Sequence, residues 1–193
     1  MPAIAIDIAA LLPPDARAVV ERANAKLKSK TGGGFLFDAT HHPHVTLGQH
    51  FVDTDRITDV CDRITAVLSR VTPLILRVTG TSGRSTSQLL VVTATPTLQL
   101  VHKELMDALA RYEVPGDASA FQMDDIPPRD RDVRWVANFR SDSSYERFAP
   151  HITIGIGSKS LMVTPFTFTA GVIAVCHLGP FCTCRDNLTR WTL

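Results

Sequence analysis

Pro43-His44-Val45-Thr46-Leu47-Gly48 and Pro150-His151-Ile152-Thr153-Ile154-Gly155 match position by position, and reading them as strands decides the fold. The copies stand 107 residues apart (151 − 44), more than half of the 193-residue chain. That gap is too long for a stacked repeat and fits two lobes that each contribute one copy. Proline is tolerated at the first residue of a strand, and the alternation behind it has the period of a sheet. Side chains two apart on a strand share a face, roughly 6.6 Å from one another at a rise of about 3.3 Å per residue. His44, Thr46 and Gly48 are therefore expected on one face, with Val45 and Leu47 buried on the other. His151, Thr153 and Gly155 repeat the arrangement, and each glycine is expected to leave its His/Thr face open for a ligand.

Outward from the motifs, Ala3 to Ile8 reads as a buried strand, and Pro13-Pro14-Asp15 starts a helix expected to run to about Lys28, ended by Gly32-Gly33-Gly34. The first motif strand is expected over His44 to Val52. Ile57, Val60, Ile64, Val67 and Leu68 have helical spacing, as do Leu98, Val101, Leu105 and Leu109 behind Pro96. Leu74 to Val78 and Leu89 to Val92 predict two strands around a polar turn from Gly80 to Ser87. Glu113 to Arg134, charged and holding Pro115, Pro127 and Pro128, predicts a long loop or lid. Tyr145 to Phe148 suggests a short helix, and strands are expected at 151–156, 166–176 and about 183–193. Strands and helices are mixed without steady βαβ alternation, which predicts an α+β fold with antiparallel sheets rather than a doubly wound one. The chain is expected to form a single two-lobed domain over residues 1–193.

A hydrophobic fraction of 45% supplies a real core and excludes disorder as the default. The net charge is +1, from 20 basic and 19 acidic side chains. Binding to long duplex nucleic acid, which depends on many phosphate contacts, is therefore not expected. A nucleotide or an RNA end needs only a few local cations. No apolar run reaches the roughly 18 to 20 residues of a membrane span, so no membrane partner is expected. Residues 1–12 are apolar but lack a basic flank and carry Asp7, which disfavours a signal peptide. With no secreted disulfide framework suggested by Cys61, Cys176, Cys182 and Cys184, a cytoplasmic location is the expectation.

The paired faces suit phosphodiester chemistry without a metal or cofactor. A neutral imidazole takes a proton from the attacking water or hydroxyl, and a protonated one opposite gives a proton to the leaving oxygen. An unperturbed pKa of about 6.5 lets histidine do either. The hydroxyls of Thr46 and Thr153 can donate to non-bridging phosphate oxygens, where charge develops. With two copies in matching contexts, ordinary buried strand histidines would need two separate sets of polar partners.

These paired His-x-Thr-hydrophobic motifs resemble those of the two-histidine (2H) phosphoesterase superfamily. That group includes cyclic nucleotide phosphodiesterases, bacterial RNA ligase-like proteins and 2′,5′-phosphodiesterases. The likeness extends from the opening strand and helix to the last strand near Trp191. It implies a bilobal fold with pseudo-two-fold symmetry, two antiparallel sheets around a cleft, and His44, Thr46, His151 and Thr153 lining that cleft. The expected reaction is hydrolysis of a 2′,3′-cyclic phosphate or a related 2′-linked phosphodiester, with His151 activating the nucleophile and His44 protonating the leaving oxygen, or, given the pseudo-symmetry, with the two roles exchanged. The same residues would support a 2′,5′-RNA ligase, and a rival of another class is a nucleotide or RNA-end binding module without turnover. Cys176 to Arg185 departs from the common pattern.

Other polar residues have plainer readings. His50 lies on the His44 face if the alternation continues, and Lys159 follows the second motif closely; both are candidate phosphate contacts. His41 and His42 could join His44 at a metal, but they read better as shaping the loop into the strand. Cys182, Cys184, Cys176 and His177 lack the usual structural zinc spacing. Asp124, Asp125, Asp130 and Asp132, interleaved with Arg129, Arg131 and Arg134, read as a solvated loop face. Gly32-Gly33-Gly34 is not a phosphate loop, because no Lys-Ser/Thr follows it.

Overall fold

The computed structural model describes residues 2–31, 34–84, 87–123, 126–157 and 161–193. In chain order the elements are β1 (Ala3–Leu11), α1 (Pro14–Thr31), β2 (His44–Asp53), α2 (Ile57–Leu68), β3 (Leu74–Arg84), β4 (Ser87–Val92) and α3 (Pro96–Leu109). They continue with α4 (Asp130–Ala137), α5 (Phe139–Ser143), β5 (His151–Ile156), β6 (Phe166–Ala170), β7 (Val172–Gly179) and β8 (Thr183–Thr192). The strands form two antiparallel four-stranded sheets, ordered β2-β1-β7-β8 and β5-β4-β3-β6. Each motif strand is an edge of its sheet, and the two edges are neighbours. The fold is thus the expected α+β arrangement of two related halves. The largest apolar cluster draws on both sheets and their helices, from Ile6, Ile8 and Leu47 to Leu76, Leu90 and Ile154. Among the described residues no helix is long and apolar enough to cross a membrane.

Three expectations change. Residues 166–176 are not one strand: the chain breaks at Gly171, with β6 in the second sheet and β7 in the first. The composition changes there too. Phe166 to Ala170 alternates between half-buried or buried and exposed, whereas 173–176 is buried throughout. The predicted turn from Gly80 to Ser87 is mostly strand, because β3 and β4 stay paired out to Arg84 opposite Ser87. The predicted loop 113–134 holds a 3₁₀ turn at Ala118–Ala120 and the start of α4. Asp132 caps α4 by accepting the Arg129 amide at 3.0 Å. Two acidic residues in its first turn also complement the helix dipole. Gly32, Gly33, Asp124 and Asp125 lie outside the described residues.

Both motif strands bulge at the same place. In the first sheet Ile8 faces Gly48 while Ala9 faces Thr46, so Leu47 is the extra residue. In the second, Gln88 faces Gly155 while Leu89 faces Thr153, so Ile154 is the extra residue. One extra residue reverses the in/out alternation beyond it. The glycines consequently turn away from the His/Thr face, contrary to expectation. A methyl on Gly48 would stand 3.2 Å from Met106 Sδ of α3, and one on Gly155 would stand 2.9 Å from Leu27 Cδ2 of α1. Gly155 also has φ +144°, a conformation that disfavours a side chain.

Gly155→Ala should therefore destabilise the chain by roughly 1–3 kcal/mol, the usual range for a side chain forced into such a backbone region. Gly80→Ala is the control: its methyl would meet nothing within 4 Å. Urea unfolding of both variants checks this, with the Gly80 variant expected near the parent.

Candidate functional site

A cavity of about 270 Å³ opens between the two motif strands. His44, Thr46, His151 and Thr153 all line it. The two rings are anchored alike. His44 Nδ1 lies 2.8 Å from the His42 carbonyl, and His151 Nδ1 lies 2.8 Å from the Ala149 carbonyl, in each case two residues back. A carbonyl only accepts, so each Nδ1 carries a proton, and a neutral ring keeps its lone pair on Nε2.

The surroundings of the two rings differ. Asp7, fully buried on β1, sets its Oδ2 at 3.4 Å from His44 Nε2. The same oxygen accepts the Thr46 hydroxyl at 2.7 Å and the Gln49 amide at 2.6 Å. The Thr46 proton is therefore directed at Asp7 and not into the cavity. Burial opposes a charge on His44, but the Asp7 carboxylate and the His42 carbonyl favour the imidazolium, and the net effect raises its pKa. Asp7 pairs with Gln49 in the first sheet, and Ser87 pairs with Ile156 in the second. Gln49, Ser87 and Ile156 all line the cavity. The two halves thus carry the same His-Thr pair, but a carboxylate stands in one where a hydroxyl stands in the other.

The bulge explains both the gain of Gln49 and the loss of His50. Beyond Leu47 the His44 face passes to Gln49, and His50 turns away from the cavity. His50 is buried with Nδ1 2.7 Å from Glu113 Oε1. Burial alone would raise the Glu113 carboxyl, but His50 and Arg140 bring it down to about 2. Lys159 lies outside the described residues.

The rings of His41 and His42 contact other side chains. His42 meets Arg17 Nη1 at 3.3 Å and Asn187 Nδ2 at 3.1 Å through its two ring nitrogens. Burial, followed by the charges of Arg17, Arg190 and His44, lowers it to about 4. His41 contacts Asp38 and Arg185. Cys176 and Cys184 form a disulfide across β7 and β8. Cys182 sits at the cavity wall, its thiol pushed well up by burial.

The stretch read as a solvated face supplies much of the remaining wall. Arg129, Arg131 and Asp132 line the cavity. Asp132 is buried, takes two bonds from the Arg129 guanidinium, and accepts the Phe181 amide at 3.1 Å. Arg129 in turn lies 4.0 Å over the Phe181 ring. Phe35, Phe37, Trp135, Phe139 and Phe181 give the cavity aromatic sides. Asp7 had one visible signal, a lone carboxylate inside an apolar strand. The aromatic and arginine wall had none, because it is assembled from three separate loops and helices.

The sequence of residues 12–167 matches the model of the 2′-5′ RNA ligase superfamily, and the chain belongs to that family. Its fold is shared by solved structures at low identity. TT0787 of Thermus thermophilus is 18% identical, with TM-score 0.63 and 98% of each chain covered. Escherichia coli LigT complexed with 3′-AMP is 16% identical, with TM-score 0.60 and 99% of this chain and 98% of that one covered. LigT complexed with NADP+ is 15% identical, with TM-score 0.58 and the same coverage. A search of curated proteins finds no match.

In an NMR titration of the imidazoles, His42 should stay neutral down to about pH 4. His44 should hold its proton above the ordinary value of about 6.5. The signs are opposite for stability. The His42 contribution is lost as pH falls from about 6.5 toward its folded value, and the His44 contribution is lost as pH rises through its raised one. Asp7→Asn should bring His44 down; a His44 titration unmoved by that change would detach its basicity from the carboxylate.

Proposed function

We propose that the chain is a metal-independent phosphodiesterase that opens a 2′,3′-cyclic phosphate, or a related 2′-linked phosphodiester, on a nucleotide or RNA end. The observation that supports this is the meeting of both His-Thr pairs in one cavity, with the Asp7 carboxylate 3.4 Å from His44 Nε2. In the proposed mechanism His151 is the neutral partner, and its Nε2 takes a proton from the attacking water. The new P–O bond forms as the bond to the leaving ribose oxygen breaks. His44, kept cationic by Asp7, gives that oxygen its proton. Thr153 and Arg131 face the charge that develops on the non-bridging oxygens, and the aromatic sides stack the base. A nucleotide ligand accords with LigT, whose structures hold 3′-AMP, ATP and NADP+. A 2′,5′-RNA ligase, which the family description names, would use the same groups in reverse.

A panel of 2′,3′-cyclic, 2′,5′-linked and 3′,5′-linked substrates assayed in EDTA tests the proposal. Turnover of the first two classes is expected to survive chelation. Complete loss in EDTA, restored by zinc, would overturn the metal-free reading. Joining of cyclic-phosphate and 5′-hydroxyl RNA ends would favour the ligase, and saturable binding without turnover the binding module. His44→Ala and His151→Ala should remain folded and lose roughly 10²- to 10⁴-fold in rate.

The dependence of kcat/KM on pH should be bell-shaped, its two apparent pKa values belonging to the coupled pair. The acid must be protonated, so its loss of a proton sets the alkaline limb. Asp7→Asn lowers the His44 pKa and should move that limb to lower pH, with a smaller effect on the acid limb. A flat profile between about pH 5 and 9 would remove histidine acid–base catalysis.

A further inference from the structure

A bulge residue leaves the sheet ladder, so its carbonyl needs a partner from elsewhere. In both motif strands that partner is a single buried side chain from a helix. The Leu47 carbonyl receives His102 Nδ1 at 2.7 Å, and the Ile154 carbonyl receives Asn24 Nδ2 at 3.0 Å. His102 is on α3 and Asn24 on α1, each 1% exposed.

Each side chain also holds the other half. Asn24 Nδ2 donates to the Phe35 carbonyl at 3.0 Å, and its Oδ1 accepts the Phe37 amide at 2.9 Å. Phe35 and Phe37 lie on the segment that leads into His44, whereas the bulge that Asn24 holds is next to Thr153. His102 mirrors this. Its Nε2 accepts the Tyr145 amide at 3.0 Å, and its ring lies flat on Phe148 at 3.9 Å. Tyr145 and Phe148 are on the segment that leads into His151, whereas the bulge that His102 holds is next to Thr46. One polar side chain in each half thus connects one motif strand to the approach of the other. Burial lowers the His102 pKa, with His50, Arg140 and Asp107 the charged groups around it. A neutral ring with its proton on Nδ1 is the form that makes both of its bonds.

We infer that Asn24 and His102 are paired positioning residues, cross-braces that fix where the two motif histidines stand relative to each other. A mere partner for an orphan carbonyl would not need the second set of bonds to the opposite strand's approach. The inference rests on the reading of His44 and His151 as the proton-transfer pair.

The test uses Asn24→Asp, which keeps the shape and loses both donors, and His102→Met, which removes both bonds. His102→Gln can keep one donor and one acceptor. Well below each variant's unfolding midpoint, Asn24→Asp and His102→Met should lower kcat roughly 10- to 100-fold, the scale of a slight misplacement. KM should change little, and His102→Gln should recover most of the loss. In the NMR titration the imidazole signals of both His44 and His151 should move in each variant. Parent-like kcat with only a lower midpoint would reduce the pair to structural caps and overturn the inference. A shift confined to the histidine on the pinned strand would overturn the cross-bracing. Where either substitution unfolds the chain, Asn24→Ser and His102→Phe replace them with the same expectations and the same overturning results. Should the parent turn over no substrate, the acid–base reading fails, and the NMR arm still decides the bracing by whether both signals move.

Discussion

A strand shows its side chains to alternate faces, and one inserted residue exchanges the faces beyond it. The two motif edges of this cavity depend on that insertion being made twice, at Leu47 and at Ile154. It brings Gln49 and Ile156 to the cavity and sends both motif glycines toward the helices. The glycines then let α1 and α3 approach closely enough for Asn24 and His102 to reach the displaced carbonyls. Bulge, glycine and helix side chain are one arrangement, present in both halves.

On that symmetric frame the chemistry is unsymmetric. Asp7 and Ser87 hold equivalent places beside Gln49 and Ile156. A buried carboxylate stabilises an adjacent imidazolium, and a serine hydroxyl carries no charge to do so. In the proposed mechanism the two like histidines need different protonation states, and the Asp7 carboxylate beside His44 is one source of such a difference. The Thr46 hydroxyl is drawn into the same contact, which leaves the two threonines unlike as well.

Much of this was legible in the chain. The repeated hexapeptide carried the strands, the two-lobed arrangement and the shared face of His44 with Thr46 and of His151 with Thr153. The alternation argument then failed one residue later: an isolated glycine inside a strand marks a bulge or a close backbone approach, and Gly48 and Gly155 mark both here rather than an opening for a ligand. His50 was carried to the wrong face by that slip. Residues 129–139 were opaque for another reason. Asp132 looks like one more charge in a polar loop, and its worth lies in contacts with Arg129 and with Phe181, 49 residues further on. Such pairings depend on tertiary placement, which local pattern does not encode.

The remaining asymmetry is in the walls. The second motif is approached through α4 and α5, whereas the first is approached through the short segment of Phe35 and Phe37. Phe181, at φ +64°, is held by the Asp132 carboxylate behind it and by the Arg129 guanidinium stacked on its face. Asp132 therefore ties α4 to the β7–β8 turn, in the stretch that departs from the common motif pattern. The repeat supplies the paired His and Thr side chains, and the non-repeated segments supply most of the remaining cavity wall. On the proposed function, substitutions in Arg129, Arg131, Trp135 or Phe181 would bear on which ligand enters, and changes at the bulges would bear on how His44 and His151 are placed.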